Sequence, residues 1–153
     1  KQWFDGTVIL SGSIGDGHSV ASAIALGADF AYLGTRFIAT EEANAEPEYK
    51  KMLEESAAKD IVYSSLFTGV LGNYLKPSIE NAGMDPENLP DADKTSMNFG
   101  SGGNTDSKAW KDIWGSGQGI GGIQDSPTVS ELVGRLKKEY EKAFNEFKSK
   151  MGV

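Results

Sequence analysis

Two short apolar runs, TVILSG at 7–12 and DFAYLG at 29–34, each end on small residues and are separated by one alanine-rich segment. Runs of this length without polar alternation suit strands covered on both faces of a parallel sheet. The intervening DGHSVASAIALGA predicts a helix, with Val20, Ala23, Ile24 and the nearby Leu26 on its apolar side and Gly27 as its stop. TRFIAT then begins where a second helix N-terminus is expected. Strand, helix, strand, helix is the order of a parallel sheet built from βαβ units with right-handed crossovers.

The spacing of the turns locates a site. Ser13 and Gly34 lie 21 residues apart (34 − 13), one strand–helix–strand period, so both turns fall at the same C-terminal edge of neighbouring strands. Ligands of parallel α/β folds bind at that edge. A glycine turn there leaves backbone N–H groups to meet an anion, and a helix starting beside it adds the positive end of its dipole. A phosphate gripped by both turns is one reading, with the Thr35 hydroxyl as a further donor and Arg36 either a charge for the phosphate or half of a surface ion pair. The other reading is that both turns merely reverse the chain, as glycine does everywhere.

Downstream the pattern becomes irregular. EPEYKKMLEESAA reads as a helix, DIVYSSLF as extended, and NYLKPSIENAG as a helix interrupted or begun around Pro77. A polar stretch rich in Pro, Gly, Asn and Asp covers 84–106, SKAWKDIW suggests a short helix, and glycine dominates 115–125. Loops that long in a compact domain are uncommon and usually functional. The last helix has Ser126 as its cap and Pro127 in its first turn, followed by Val129, Leu132, Val133, Leu136, Tyr140, Phe144 and Phe147 at helical spacing. That spacing, with Trp110 and Trp114, reads as packing residues rather than an aromatic cage. Glu41 and Glu42 read as a charged helix start or a solvated loop. The expected organisation is 1–83 for the βα units, 84–125 for the loop region and 126–153 for the C-terminal helix.

Composition excludes several classes of function. A net charge of −7, from 22 acidic and 15 basic residues, disfavours nucleic acid or an anionic membrane as partner. Without cysteine there is no disulfide or thiolate metal site, which fits a reducing cytoplasm, and one histidine rules out a multi-histidine metal centre. No apolar run approaches the roughly 20 residues that span a bilayer, and no charged-then-apolar leader opens the chain. A soluble, cytoplasmic protein is expected, and the opening KQWFDG, without methionine, suggests a piece of something longer.

The glycine segments also carry a resemblance. Gly12, Ser13 and Ile14, then Asp16 and Gly17, then Leu26 to Asp29, then Gly34 to Phe37 resemble the phosphate-binding end of flavin-dependent TIM barrels, where strands end in GGI and MGTRF around DG and LGAD. The continuation ATEEANAEPEYK and the later WKDIWGSGQGIGGIQD are similar to the nitronate monooxygenase family, formerly called 2-nitropropane dioxygenase. Related enoyl-reductase flavoproteins share the first half of the pattern. The family's second strand-end glycine is Ser13 here, a replacement compatible with phosphate binding if its backbone is ordinary and troublesome if that position needs positive φ.

The resemblance implies the C-terminal portion of a (β/α)8 TIM barrel, with Gly12–Ser13 closing strand 7 and Gly34–Thr35 closing strand 8, followed by a helical C-terminal extension. It implies FMN as cofactor, an alkyl nitronate and O2 as substrates, and a carbonyl compound and nitrite as products. Gly12, Ser13, Gly34, Thr35 and, from the loop that approaches the flavin in the family, Gln118 become the cofactor-binding candidates. A whole barrel takes about 250 residues, so the chain is expected to be a fragment. The family's catalytic histidine would precede Lys1, so no catalytic residue is assigned and the fragment alone is expected to be inactive. His18, in the first turn of a helix where the family commonly has arginine, is not a substitute, since a general base must reach its substrate. Two other readings remain at this point. One is a phosphate-binding part of an inosine monophosphate dehydrogenase-like or enoyl-reductase-like barrel; the other is a non-catalytic half-barrel that forms a homo-oligomer through exposed edges.

Overall fold

A computed structural model describes residues 3–91 and 112–152. In chain order these form β1 (Ile9–Ser11), α1 (Gly17–Ala25), β2 (Phe30–Tyr32), α2 (Thr35–Ile38), α3 (Pro47–Glu55), β3 (Ile61–Ser64), β4 (Gly72–Leu75), α4 (Lys76–Asn81) and α5 (Val129–Met151). They fall into two compact units, Lys1–Glu54 with Gly119–Val153, and Glu55–Gln118.

In the first unit β1 and β2 pair in parallel, with Ile9 opposite Phe30, Leu10 opposite Ala31 and Ser11 opposite Tyr32. The strand–helix–strand expectation holds, and Gly27 ends the intervening turn at φ +97°. Burial does not follow the expectation. Ile9, Phe30 and Tyr32 are 58%, 60% and 62% exposed, because the two strands pair with each other and with no further strand among the described residues. On α1, Ala23 is buried and Val20 half-buried, whereas Ile24 and Leu26 face out.

The last helix starts later than its sequence suggested. Thr128, not Ser126, caps α5: its Oγ1 accepts the Glu131 N–H at 3.2 Å, and the Glu131 carboxylate accepts the Thr128 N–H at 3.0 Å. This reciprocal box satisfies two otherwise orphaned donors. Ser126 instead donates to Glu54 at 2.6 Å, and the Pro127 carbonyl accepts the Glu41 N–H at 3.0 Å. Glu41 and Glu42 lie exposed in a turn, as the solvated-loop reading expected, and both Glu42 oxygens accept the Val129 N–H at the start of α5. Leu132 is buried and Leu136 and Tyr140 are half-buried, but Val133, Phe144 and Phe147 are exposed, so the aromatic stripe is only partly core.

The second unit is built on an antiparallel pair, β3 and β4, running from Ile61 opposite Leu75 to Ser64 opposite Gly72. NYL is therefore strand, and the helix begins after it, with Pro77 in the first turn of α4 where its missing N–H costs nothing. Phe67, Tyr74, Ile79 and Ile113 form the core, with the Phe67 and Tyr74 rings edge to face at 4.8 Å. Beside β4, the Leu75 N–H donates to Trp114 O at 2.8 Å and the Ser116 N–H to Asn73 O at 3.2 Å, so the start of the glycine-rich segment pairs with the strand. Residues 92–111, with Trp110, most of the SKAWKDIW stretch and the end of the polar loop, lie outside the described residues. Among the described residues no helix is long and apolar enough to cross a membrane.

Candidate functional site

Because β1 and β2 are parallel neighbours, Gly12–Ser13 and Gly34–Thr35 both follow C-terminal strand ends in the first unit. Gly12, Ser13 and Gly34 are exposed, and Thr35 is half-buried at the start of α2. Gly12 has φ +100° and Ser13 has φ +56°, the one non-glycine residue with positive φ among those described. The left-handed region costs an L-residue about 1–2 kcal/mol. Ser13 thus stands in the positive-φ conformation that the sequence marked as troublesome for phosphate binding, with the backbone strain that goes with it.

Gly34 presents the opposite case. Its φ is −108°, open to any residue, and a Cβ built there would meet nothing within 4 Å. Neither conformation nor internal packing demands glycine at this position. The open space leaves room for close approach by a group outside the described residues, although Gly121, Gly122 and Gly134 are equally open. Gly119, by contrast, is needed internally: a Cβ on it would lie 2.9 Å from the Ser13 carbonyl carbon and oxygen, so this glycine lets the chain at 119 run against the first turn.

The N-terminus of α1 does not offer the free donors that the sequence suggested. Asp16 caps it, accepting the Ser19 N–H at 2.7 Å, while the Ser19 hydroxyl accepts the N–H groups of Gly15 and Asp16. The Gly17 N–H donates to Glu139 Oε2 on α5 at 2.8 Å. Burial pushes the Asp16 carboxyl up, but the Ser19 hydrogen bonds and the nearby His18 outweigh it and hold it below its ordinary value. His18 itself lies exposed on α1.

Arg36 is 3% exposed and fully engaged inside the protein. Its Nη1 donates to Ala39 O at 3.2 Å and Asp125 O at 3.0 Å, and its Nη2 to Asp125 Oδ1 at 2.8 Å. Asp125 also accepts from Arg135 of α5, at 3.0 Å on Oδ1 and 2.6 Å on Oδ2. The Arg135 hydrogen bond is the largest influence on the Asp125 carboxyl and, with both guanidinium charges, holds it below the usual range against partial burial. Of the two roles open to Arg36, the ion pair is the one observed, though it is buried rather than on the surface.

Gln118 belongs to the second unit, where its side chain is exposed and its Nε2 lies 3.4 Å from Asn73 Oδ1. Sequence reasoning missed three participants: Asp125, Glu139 and Gly119. No local signal in the sequence marks any of the three.

Comparison with known proteins adds an independent line. A family model described as nitronate monooxygenase matches residues 6–139. A nitronate monooxygenase of Paraburkholderia phytofirmans is 30% identical over 146 residues, covering 92% of this chain and 40% of that protein. FabK from Thermotoga maritima superposes with a TM-score of 0.69 at 25% identity, over 95% of this chain and 48% of that one. A nitroalkane oxidase from Streptomyces ansochromogenes superposes with a TM-score of 0.64 at 22% identity, over 94% and 42% respectively. These neighbours are TIM-barrel enzymes, and the α/β fold described above matches part of theirs. The chain spans less than half the length of each relative.

Proposed function

The chain belongs to the nitronate monooxygenase family, and on that premise we propose that it carries the phosphate-binding half of an FMN site in an enzyme that oxidises alkyl nitronates. The reaction consumes O2 and gives a carbonyl compound and nitrite. In this reading β1 and β2 are the seventh and eighth strands of a (β/α)8 barrel, whose phosphate sites lie after those strands.

The observation that supports the reading is the pair of turns at one sheet edge, Gly12–Ser13 and Gly34–Thr35, with the space at Gly34 open among the described residues. The residues present fit a phosphate monoester held by neutral donors. Arg36 is spent on Asp125, so the grip falls to backbone N–H groups of the two turns and to the Thr35 hydroxyl. Bound flavin supplies the electron transfer, and the protein supplies binding and orientation. Gln118 is the candidate to hydrogen-bond the flavin ring or line the substrate pocket. No general base is assigned among the described residues, and in this reading the catalytic histidine is contributed from elsewhere in the polypeptide.

The test is FMN binding by the protein at its full natural length, with Gly34→Ala as the probe. The wild type is expected to purify with flavin absorbance and to release nitrite from an alkyl nitronate in air. Gly34→Ala is expected to keep its thermal stability, since the added Cβ meets nothing among the described residues, while losing FMN affinity by tenfold or so, about 1.4 kcal/mol. A colourless wild type that does not take up FMN overturns the proposal.

A further inference from the structure

The most heavily engaged side chain near the candidate site is one that the cofactor reading leaves without a task. Arg36 immediately follows Thr35, in the four-residue helix α2, and its guanidinium is buried among the Ala39 carbonyl and the Asp125 carbonyl and carboxylate. Asp125 in turn accepts two hydrogen bonds from Arg135, in the second turn of α5. One carboxylate therefore ties α2 to α5. Arg135 holds Asp125 through both carboxylate oxygens, a bidentate pair that fixes orientation as well as distance; Asp125 so fixed takes Arg36 Nη1 on its backbone carbonyl and Nη2 on Oδ1, which orients the turn at Gly34 and Thr35. A four-residue helix has too few internal hydrogen bonds to hold its own direction, so an external clamp is what sets it.

Resting on the phosphate-site reading above, we propose that Arg36, Asp125 and Arg135 form a positioning clamp that holds the Gly34–Thr35 turn in register for the cofactor's phosphate. None of the three is assigned a contact with the phosphate. Their function is to keep the donors of the turn aimed, so that loosening the clamp costs phosphate recognition in particular. A purely structural ion pair would instead lower stability and every binding affinity together.

FMN and riboflavin separate these cases, because they share the ring and differ by the phosphate. In the protein at its full natural length, wild type should bind FMN more tightly than riboflavin. Asp125→Asn, which keeps the shape and removes the charge, should weaken FMN binding about tenfold while changing riboflavin binding less than twofold. Arg36→Lys should lose discrimination in the same way, since an ammonium cannot reproduce the two-nitrogen contact with the Asp125 carbonyl and carboxylate. Should Asp125→Asn fail to fold, Arg135→Gln serves instead, because the Arg135 side chain is 45% exposed; a reduction of about threefold in the FMN-to-riboflavin preference is expected. Unchanged preference in the variants, or equal loss for both ligands, overturns the clamp while the phosphate site stands. A wild type that does not distinguish FMN from riboflavin overturns both.

Discussion

The Gly17 N–H donates to the Glu139 carboxylate at 2.8 Å, across 122 residues of sequence. That contact places a negative charge from α5 at the positive end of the α1 dipole, where such charges are favourable. The same approach leaves no room for a side chain on Gly17, since a Cβ there would overlap the Leu136 carbonyl oxygen and the Tyr140 nitrogen. Gly17→Ala must therefore push α1 and α5 apart. We expect a loss of about 3 kcal/mol, at the upper end of overpacking costs, read as a lower urea midpoint. Glu139→Gln, which keeps an acceptor, should lose less than 1 kcal/mol. A Gly17→Ala protein as stable as wild type would refute the close packing of the two helices.

Ser13 offers a gain rather than a loss. At φ +56° it sits where a glycine is unstrained. Replacing it should recover the left-handed penalty of about 1–2 kcal/mol, offset by about 0.5–1 kcal/mol of extra chain entropy lost by glycine on folding. Ser13→Gly is expected to stabilise by roughly 0.5–1 kcal/mol in equilibrium denaturation. Ser13→Val, a β-branched residue in a region that suits it least, should destabilise. The opposite order for these two variants would mean that the Ser13 hydroxyl, not its backbone, governs the turn.

The two turns and the helix between them were legible in the sequence because each depends on local signals: short apolar runs and glycine stops. The start of α5 was legible too, in TVSE at 128–131, yet Ser126 and Pro127 made a competing local signal that tertiary partners decided against. Burial was the poorest inference. An apolar run shows that a strand is suited to coverage, while actual coverage of Ile9 and Phe30 depends on what lies beside them. Long-range pairs such as Arg36 with Asp125 have no periodicity, so a sequence shows the partners but not the pairing. Gly34 was open to two readings, a phosphate contact or a plain turn, and only its surroundings distinguish a glycine needed by the chain from one left open among the described residues.

Asp125 makes stability depend on acid in a specific direction. Its folded carboxyl titrates below the ordinary 3.8, so its contribution is present above that value and is lost as pH falls through the folded pKa. At neutral pH wild type should be more stable than Asp125→Asn. The difference should shrink once the pH drops below 3.8, because the unfolded chain then binds a proton that the folded clamp still excludes. Denaturation curves for both proteins at a series of pH values provide the measurement. A gap that stays constant down to the acid transition would show that Asp125 does not titrate with a depressed pKa.

The exposed side chains of β1 and β2 bear on solution behaviour. Ile9, Phe30 and Tyr32 are each more than half exposed on a two-stranded parallel sheet, and strand edges of this kind pair readily with other chains. The 153-residue chain by itself is therefore expected to self-associate, with a light-scattering mass that rises with concentration above its own 16.4 kDa. Ile9→Lys combined with Phe30→Glu removes apolar area from both strands and should return the mass to that of one chain. A wild-type chain that stays at 16.4 kDa across the concentration series, with a cooperative unfolding transition, would show that these strands need no partner, and the exposed residues would then have to be read as surface of a self-sufficient domain.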